Sequence, residues 1–243
     1  MTDIIVSKNV FEKHVNEEAK IFFKTKHTVY YKFNDSDILT LTTHSNRVGA
    51  LGLTAPSRFL KFKKVYVNKN KVLVFDNVFF LSKFKLYDPT ITNFRKNVNI
   101  DEAINYIKQN VDNRISLKII KGLFDKKYES LIGFGPGLTP LGDDILSGVL
   151  LMEHYFKKDL VDKDHIIFIS RKKTNDISYF QMKYAAEGLA PLPVKEYLSS
   201  SNKDDLLKMG ATSGSGWLLG ITYYFEFGGI ADGLYNDKTE FVL

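Results

Sequence analysis

The sequence predicts an α+β protein, with an antiparallel β-rich N-terminal part (residues 1–98) followed by a mainly helical C-terminal part (residues 99–243). Short β-branched and aromatic segments, separated by turn residues, fill roughly residues 28–87, as in an antiparallel sheet or small barrel. Beyond that region, apolar side chains recur at helical intervals. Two glycine-rich stretches each precede an apolar segment. We therefore expect glycine-rich loops at the N-termini of two helices.

The individual elements follow from local patterns. Val10–Phe23 predicts a short amphipathic helix, because its apolar residues lie near one helical face. Strands are expected from Thr28 onwards, with a hairpin turn at Asn68–Asn70. In the C-terminal part, Asn99 or Asp101 is expected to cap a helix. Further helices are expected at 113–126, 174–189 and 203–209, with a strand or a buried link at 166–169.

Composition narrows the class of protein. With 44% hydrophobic and 26% charged residues, the 243-residue chain is typical of a soluble globular protein. The sequence contains no cysteine, which excludes disulfides and thiolate chemistry. The N-terminus shows no signal-peptide pattern, and the longest apolar runs are far shorter than the roughly 20 residues of a membrane span. We therefore expect a cytoplasmic protein with no membrane partner.

The net charge of +6 does not by itself predict a nucleic-acid partner. Most of the basic residues are lysines scattered along the chain, which indicates a compositional bias rather than a binding patch. Two local clusters, at 61–64 and 171–173, are interpreted as solvated faces. Arginine is rare in this sequence, so Arg47, which follows a predicted strand, is a candidate for binding a planar carboxylate.

The stretch Gly133–Asp144 is the most distinctive part of the sequence. Its four glycines and two prolines predict a tight loop, and the apolar residues after it predict a buried helix beginning at Ile145. One of its two carboxylates, Asp143 or Asp144, is expected to cap that helix, and the other is expected to face a pocket. A loop with a capping aspartate and no ligand remains an alternative.

Two well-known phosphate-binding loops are excluded by the same residues. The spacing Gly137–Gly142 imitates a nucleotide phosphate loop, but Asp143 and Asp144 stand where that loop requires Lys and Ser or Thr. A dinucleotide fingerprint requires G-x-G-x-x-G, and here the third glycine comes one residue early. Pro136 also removes an N–H donor from the place where a pyrophosphate would bind.

The stretch Gly210–Gly216 repeats the central pattern more loosely and again precedes an apolar segment. Either the two helices simply pack together through small residues such as Gly148 and Gly220, or their N-termini converge on a pocket for an anion or carboxylate. The second interpretation gives the candidate substrate-binding residues, which are Gly135, Gly137, Thr139, Gly142, Thr212, Ser213, Gly214 and Arg47.

Catalytic and metal-binding residues are harder to assign. The five histidines show no H-x-x-x-H spacing, so no metal site is predicted from them. The catalytic residues are unknown from the pattern, with Asp143 and Asp144 as candidates. A Mg²⁺ ion held by one of them is possible, because it would offset the charge of a bound phosphate.

The segment Leu131–Asp144 resembles the hallmark G-x-G-P-G-L-T-P-x-G-D-D of a bacterial domain-of-unknown-function family, typified by the AllH-type subunit of oxamate carbamoyltransferase. The resemblance extends through Thr174, Ser178 and Ala185–Gly188 to Gly210–Gly214, and it departs from the motif at Leu141, where a small polar residue is commoner.

The resemblance implies a subunit of a carbamoyltransferase-like enzyme, acting on oxamate or a related small carboxylate in purine-nitrogen (allantoin) catabolism. It also implies that other enzyme subunits and a small carboxylate or carbamoyl phosphate are the partners. A non-catalytic subunit that binds a metabolite or serves assembly is the alternative.

Overall fold

The computed structural model describes residues 4–80, 84–94, 99–200, 202–230 and 235–236. The chain divides into two compact units, one formed by Met1–Pro89 with Pro191–Pro193 and the other by Thr90–Ala190 with Val194–Leu243. Residues 95–98, at the predicted boundary between 98 and 99, lie outside the described residues. The first unit is built mainly of strands and the second of helices, so the predicted α+β class is confirmed. None of the described helices is long and apolar enough to cross a membrane.

The first unit is a mixed nine-stranded sheet with the order β8-β7-β6-β2-β3-β4-β5-β1-β9. Its elements are β1 (Ile4–Ser7), α1 (Asn9–Lys13), β2 (Glu17–Lys24), β3 (Thr28–Phe33), β4 (Asp37–Thr42), β5 (Gly52–Thr54), β6 (Lys64–Asn68), β7 (Val72–Phe75), β8 (Val78–Phe80) and β9 (Phe84–Tyr87). Most neighbouring strands are antiparallel, as predicted, but β4 pairs with β5 and β1 pairs with β9 in parallel. The sheet also begins well before residue 28.

The predicted helix over Val10–Phe23 is wrong for most of its length. Helix α1 ends at Lys13, Asn16 adopts a positive φ, and β2 then pairs with both β3 and β6. The pairing of β2 shifts register between Ile21 and Phe23, so one extra residue interrupts the alternation expected of a strand. The predicted hairpin between β6 and β7 is confirmed.

The second unit contains most of the helices. After β10 (Asn93–Phe94) the chain forms α2 (Ile100–Asn110), α3 (Asn113–Phe124), α4 (Leu141–Phe156), α5 (Lys163–Lys173), α6 (Asp176–Ala186), α7 (Leu192–Ser200), α8 (Asp204–Leu207), α9 (Ser213–Phe227) and β11 (Tyr235–Asn236). Asn99 caps α2 by accepting a hydrogen bond from the Glu102 N–H, as one of the two alternatives predicted. Residues 166–169, expected to be a strand or a link, are helical because they lie inside α5, which Asp162 caps.

Helices α4 and α9 form the centre of this unit and are almost completely buried. A Cβ atom at Gly220 would lie 2.0 Å from the carbonyl oxygen of Ile145, so the two backbones approach as closely as the glycines predicted. Near the start of both helices, Gly216 lies against Asp144, and further along Gly148 lies against Gly220. Residues at the same distance from each N-terminus therefore lie against one another, so the two helices run parallel with their N-termini at the same end.

Candidate functional site

The first glycine-rich loop spans residues 133–140 and leads directly into α4. Positive φ angles occur at Gly133, Gly135 and Gly137. At Gly137, whose φ is 113°, a Cβ atom would lie 2.6 Å from the carbonyl oxygen of Thr139. No larger residue fits this backbone without strain, so glycine is required for the tight turn.

Asp143 fastens this loop to its helix. The side chain is fully buried, and its Oδ1 accepts a hydrogen bond from the Gly133 N–H at 2.7 Å, while its Oδ2 accepts one from the Thr174 hydroxyl. Burial raises the pKa of Asp143, and these two hydrogen bonds oppose the rise. The predicted capping role is wrong, because the helix begins earlier, at Leu141, with Pro140 at the N-cap position.

Asp144 lies one residue further along, also fully buried. Its Oδ1 accepts a hydrogen bond from Gln181 Nε2 at 2.8 Å, and its Oδ2 accepts one from the Thr139 hydroxyl at 3.2 Å. Burial raises the pKa of Asp144 to about 7, despite these hydrogen bonds. The expectation that one carboxylate faces an open pocket is therefore not met, since both are enclosed by protein donors.

The two glycine-rich loops meet at the N-termini of α4 and α9. The hydroxyl oxygens of Thr139 and Ser213 lie 3.1 Å apart and form a hydrogen bond between the loops. A Cβ atom at Gly137 would lie 3.6 Å from the Thr212 Oγ1, so the loops also touch at a second point. The arrangement brings together residues that are more than 70 positions apart in the sequence.

Free backbone donors gather at this junction. Within the described residues, the N–H groups of Gly137, Leu138 and Thr139 have no hydrogen-bond acceptor, and neither do those of Thr212 and Ser213. Thr139 and Ser213 are also partly exposed. Such groups at the positive ends of two parallel helices are suited to an anion.

The other predicted binding residues occupy different environments. The N–H groups of Gly142 and Gly214 donate to the carbonyl oxygens of Phe134 and Met209, so they are engaged within the protein. Gly135 packs against Leu141. Arg47 belongs to the first unit, in the 3-10 helix Ser45–Arg47, and its role stays a prediction.

Gln181 is a site residue that the sequence analysis missed. It lies on α6, and its Nε2 donates to both Asp144 Oδ1 and the Ser147 hydroxyl, at 2.8 and 3.2 Å. These contacts turn the amide nitrogen inward. Within the described part of the chain, the Gln181 Oε1 has no hydrogen-bond partner. The spacing of Ser178 and Gln181, three residues apart after Thr174, is a signal that could have indicated a polar helix face.

The two buried carboxylates do not fit a Mg²⁺ ion as ligands. Each of the four oxygens of Asp143 and Asp144 already accepts a hydrogen bond from an N–H or O–H group. Among the residues that the structure describes, no group of three or more His, Asp or Glu side chains is placed to hold a metal ion. A cavity of about 450 Å³ lies elsewhere in this unit, lined by Tyr128, Val161 and His165 among others, and it contains none of the predicted residues.

Comparison with known proteins identifies the family to which part of the chain is similar. A family model described as oxamate carbamoyltransferase subunit AllH matches residues 131–225. This segment is of the AllH type. The resemblance that the glycine-rich motif predicted is thus confirmed. The AllH-type segment contains both glycine-rich loops, both carboxylates and Gln181, together with α4, α6 and most of α9. No solved structure matches the chain.

Proposed function

We propose that the chain is a subunit of a carbamoyltransferase-like enzyme, and that its paired glycine-rich loops bind oxamate, a related small carboxylate or carbamoyl phosphate. The observation that carries this proposal is the set of free N–H groups contributed by both loops, at the N-termini of parallel helices. The match to the AllH family model supports the same chemistry.

The anionic part of the substrate binds at the junction of the loops. A carboxylate or phosphate there accepts hydrogen bonds from the N–H groups of Gly137, Leu138 and Thr139 on one side and of Thr212 and Ser213 on the other. Each helix N-terminus contributes typically 0.3–1 kcal/mol to the binding of a negative charge at an exposed site, and more where the site is partly buried. Two parallel helices reinforce one another in this respect.

The amide part of the substrate is recognised by Gln181. Oxamate and carbamoyl phosphate both carry an NH₂ group, which needs an acceptor, and the two aspartates are already occupied. The carbonyl oxygen of Gln181 is free among the described residues and is held in place through its own amide nitrogen. This acceptor distinguishes a carboxamide from a carboxylate of the same shape, because a second carboxylate offers no donor.

Asp144 is the group that receives a proton in this scheme. When the amide nitrogen of oxamate attacks the carbamoyl carbon, the bond from that carbon to the phosphate oxygen breaks and the nitrogen loses a proton. The Thr139 hydroxyl touches Asp144 and is partly exposed, so it can pass that proton inward. A carboxyl with a pKa of about 7 is well matched to accept a proton near neutral pH.

The direct experiment compares turnover of oxamate and carbamoyl phosphate by the complete set of enzyme subunits, with the native chain and with Thr139→Val. The substitution keeps the shape and removes the hydroxyl, so we expect kcat to fall by about tenfold or more. Thr28→Val in β3, which also replaces a threonine hydroxyl by a methyl group, is the matched control and should leave kcat unchanged. Equal effects of both substitutions would contradict the proton-transfer role.

A second experiment tests recognition of the amide. The ratio of the Kd for oxalate to the Kd for oxamate should fall towards one in Gln181→Leu, since the variant loses the acceptor. Gln109→Leu, at an exposed glutamine of α2, is the matched comparison. A ratio that is unchanged in Gln181→Leu would show that another group accepts the hydrogen bond from the NH₂ of oxamate.

The complete engagement of both carboxylates also favours a second candidate, a subunit that binds a small metabolite or serves assembly without catalysing the reaction. In that case Thr139→Val would change the affinity for oxamate and leave kcat of the assembled enzyme intact. Turnover by the purified chain alone would exclude this candidate.

A further inference from the structure

Strand β2 exposes three large apolar side chains in succession. Ile21, Phe22 and Phe23 are 39%, 45% and 40% exposed. Single exposed apolar residues are ordinary in soluble proteins, whereas larger exposed apolar patches are typical of interaction surfaces. The position of these residues near the middle of the strand order makes the exposure unexpected.

The backbone of β2 explains why this part is open. Strand β6 pairs with β2 only as far as Lys20, and the Ile21 N–H then donates to the Lys63 carbonyl oxygen. From Phe22 to Lys24, the described pairing of β2 is with β3 alone. This stretch is therefore a short open sheet edge inside the unit, which an extended segment of another chain can extend.

Most of the charged side chains near this edge are lysines, and the Asp76 carboxylate is engaged by the N–H groups of Lys63 and Lys64. Five lysines without a carboxylate partner, among the described residues, lie on β2, in the turn after it or in the segment that leads into β6, namely Lys20, Lys24, Lys26, Lys61 and Lys63. By contrast, Lys64 on the neighbouring strand pairs with Glu18 at 3.3 Å. We call the apolar residues 21–23 and these five lysines the β2 surface.

We propose that the β2 surface docks an acidic, apolar segment of another subunit, which pairs with the open edge of β2 in an extended conformation. The unneutralised lysines complement carboxylates on that segment, and Ile21, Phe22 and Phe23 bury its apolar side chains. That the partner is another enzyme subunit rests on the proposed function. The surface itself rests on the geometry of β2.

A protein segment fits this surface better than a nucleic acid. Glu17 and Glu18 are exposed on the same strand and would repel a phosphate backbone that followed it. The open edge of β2 also offers main-chain N–H and C=O groups at strand spacing, which an extended peptide can pair and a nucleic acid cannot. An acidic peptide can place its carboxylates beside the lysines and keep clear of the glutamates.

The test uses the full chain, co-expressed and purified with the products of the genes that neighbour its own as candidate subunits. The double variant Phe22→Ser with Lys24→Glu should weaken their binding by about tenfold or more, because it removes an apolar anchor and reverses a charge. The matched control is Phe168→Ser with Lys172→Glu on α5, where Phe168 is 69% exposed and Lys172 lies over its ring. This control should bind the subunits normally.

The native chain should also bind its subunits less tightly at high salt, and the test variant should show a smaller salt dependence. Equal affinity of the test variant and the native chain would overturn the proposal, and so would the absence of any assembly. Binding of oligothymidylate, or self-association, that is lost in the test variant while subunit binding persists would assign the surface to a nucleic acid or to a second copy instead.

Failure here is distinguishable from failure of the proposed function. An assembly that depends on the β2 surface but does not turn over carbamoyl phosphate would support the docking and contradict the enzyme assignment. An assembly that turns over carbamoyl phosphate and is unaffected by the substitutions in β2 would support the enzyme assignment and contradict the docking.

Discussion

The loop before α4 and the loop before α9 lie side by side, yet the protein holds them in different ways. The first has three glycines at positive φ and is fastened from inside by the buried Asp143. The second is shorter, has no carboxylate in the first turn of its helix, and is held by a backbone hydrogen bond from Gly214 to Met209. The carboxylates thus hold the first loop in place, whereas both loops contribute free N–H groups.

The largest expected effect comes from removing the internal fastening of the first loop. Asp143→Ala leaves the Gly133 N–H and the Thr174 hydroxyl without their acceptor, so we expect the free energy of unfolding to fall by about 2–4 kcal/mol. Asp101→Ala, an exposed aspartate in the first turn of α2, is the control and should cost less than about 0.5 kcal/mol. Denaturant unfolding measures both. Similar costs would show that Asp143 does not fasten the loop.

A pH-dependent difference is expected at Asp144. Its pKa of about 7 in the folded protein lies above the ordinary value of 3.8, so the folded state binds more protons between these pH values. The contribution of Asp144 to stability is therefore complete below about pH 4 and is lost as the pH rises through about 7.

Asp144→Asn should remove this loss. The unfolding free energy of the variant relative to the native chain should rise between pH 4 and pH 7, by on the order of 4 kcal/mol at most. Ser116→Ala, at a buried hydroxyl of α3 that does not titrate, should show no such trend. A flat difference for Asp144→Asn would mean that the carboxyl is ionised throughout this range.

The smallest expected effect concerns the contact between the loops. In a double-mutant cycle with Thr139→Val and Ser213→Ala, the hydrogen bond between these hydroxyls should appear as a coupling energy of about 0.5–1.5 kcal/mol. Pairing Thr139→Val with Ser200→Ala in α7 should give additive effects. Additive effects in the first cycle would show that the hydrogen bond between the two loops does not contribute to stability.

Features encoded by local patterns could be predicted from the sequence. The cap at Asn99 followed from residue type and position, and the close approach of α4 and α9 followed from glycines spaced along apolar segments. The roles of the two aspartates could not be predicted in the same way. Their partners Thr174 and Gln181 are 31 and 37 positions away, and no local pattern connects them.

The predicted start of α4 at Ile145 is wrong because aspartate is so common at N-cap positions that Asp143 and Asp144 were expected to precede the helix. Here Pro140 stands at the N-cap position, so the helix includes Leu141 and Gly142 and both aspartates fall within its first turn. In the first unit, the extra residue in β2 disturbed the alternation that identifies a strand, and the apolar residues then imitated a helical face.

The central claim is that the two glycine-rich loops form one binding site, and an NMR titration of the backbone amides with oxamate tests it most directly. We predict that the N–H resonances of Gly137, Leu138 and Thr139 shift together with those of Thr212 and Ser213, and that one Kd describes both sets. The engaged amides of Gly142 and Gly214 should shift less. Shifts confined to one loop, or separate affinities for the two loops, would contradict the account.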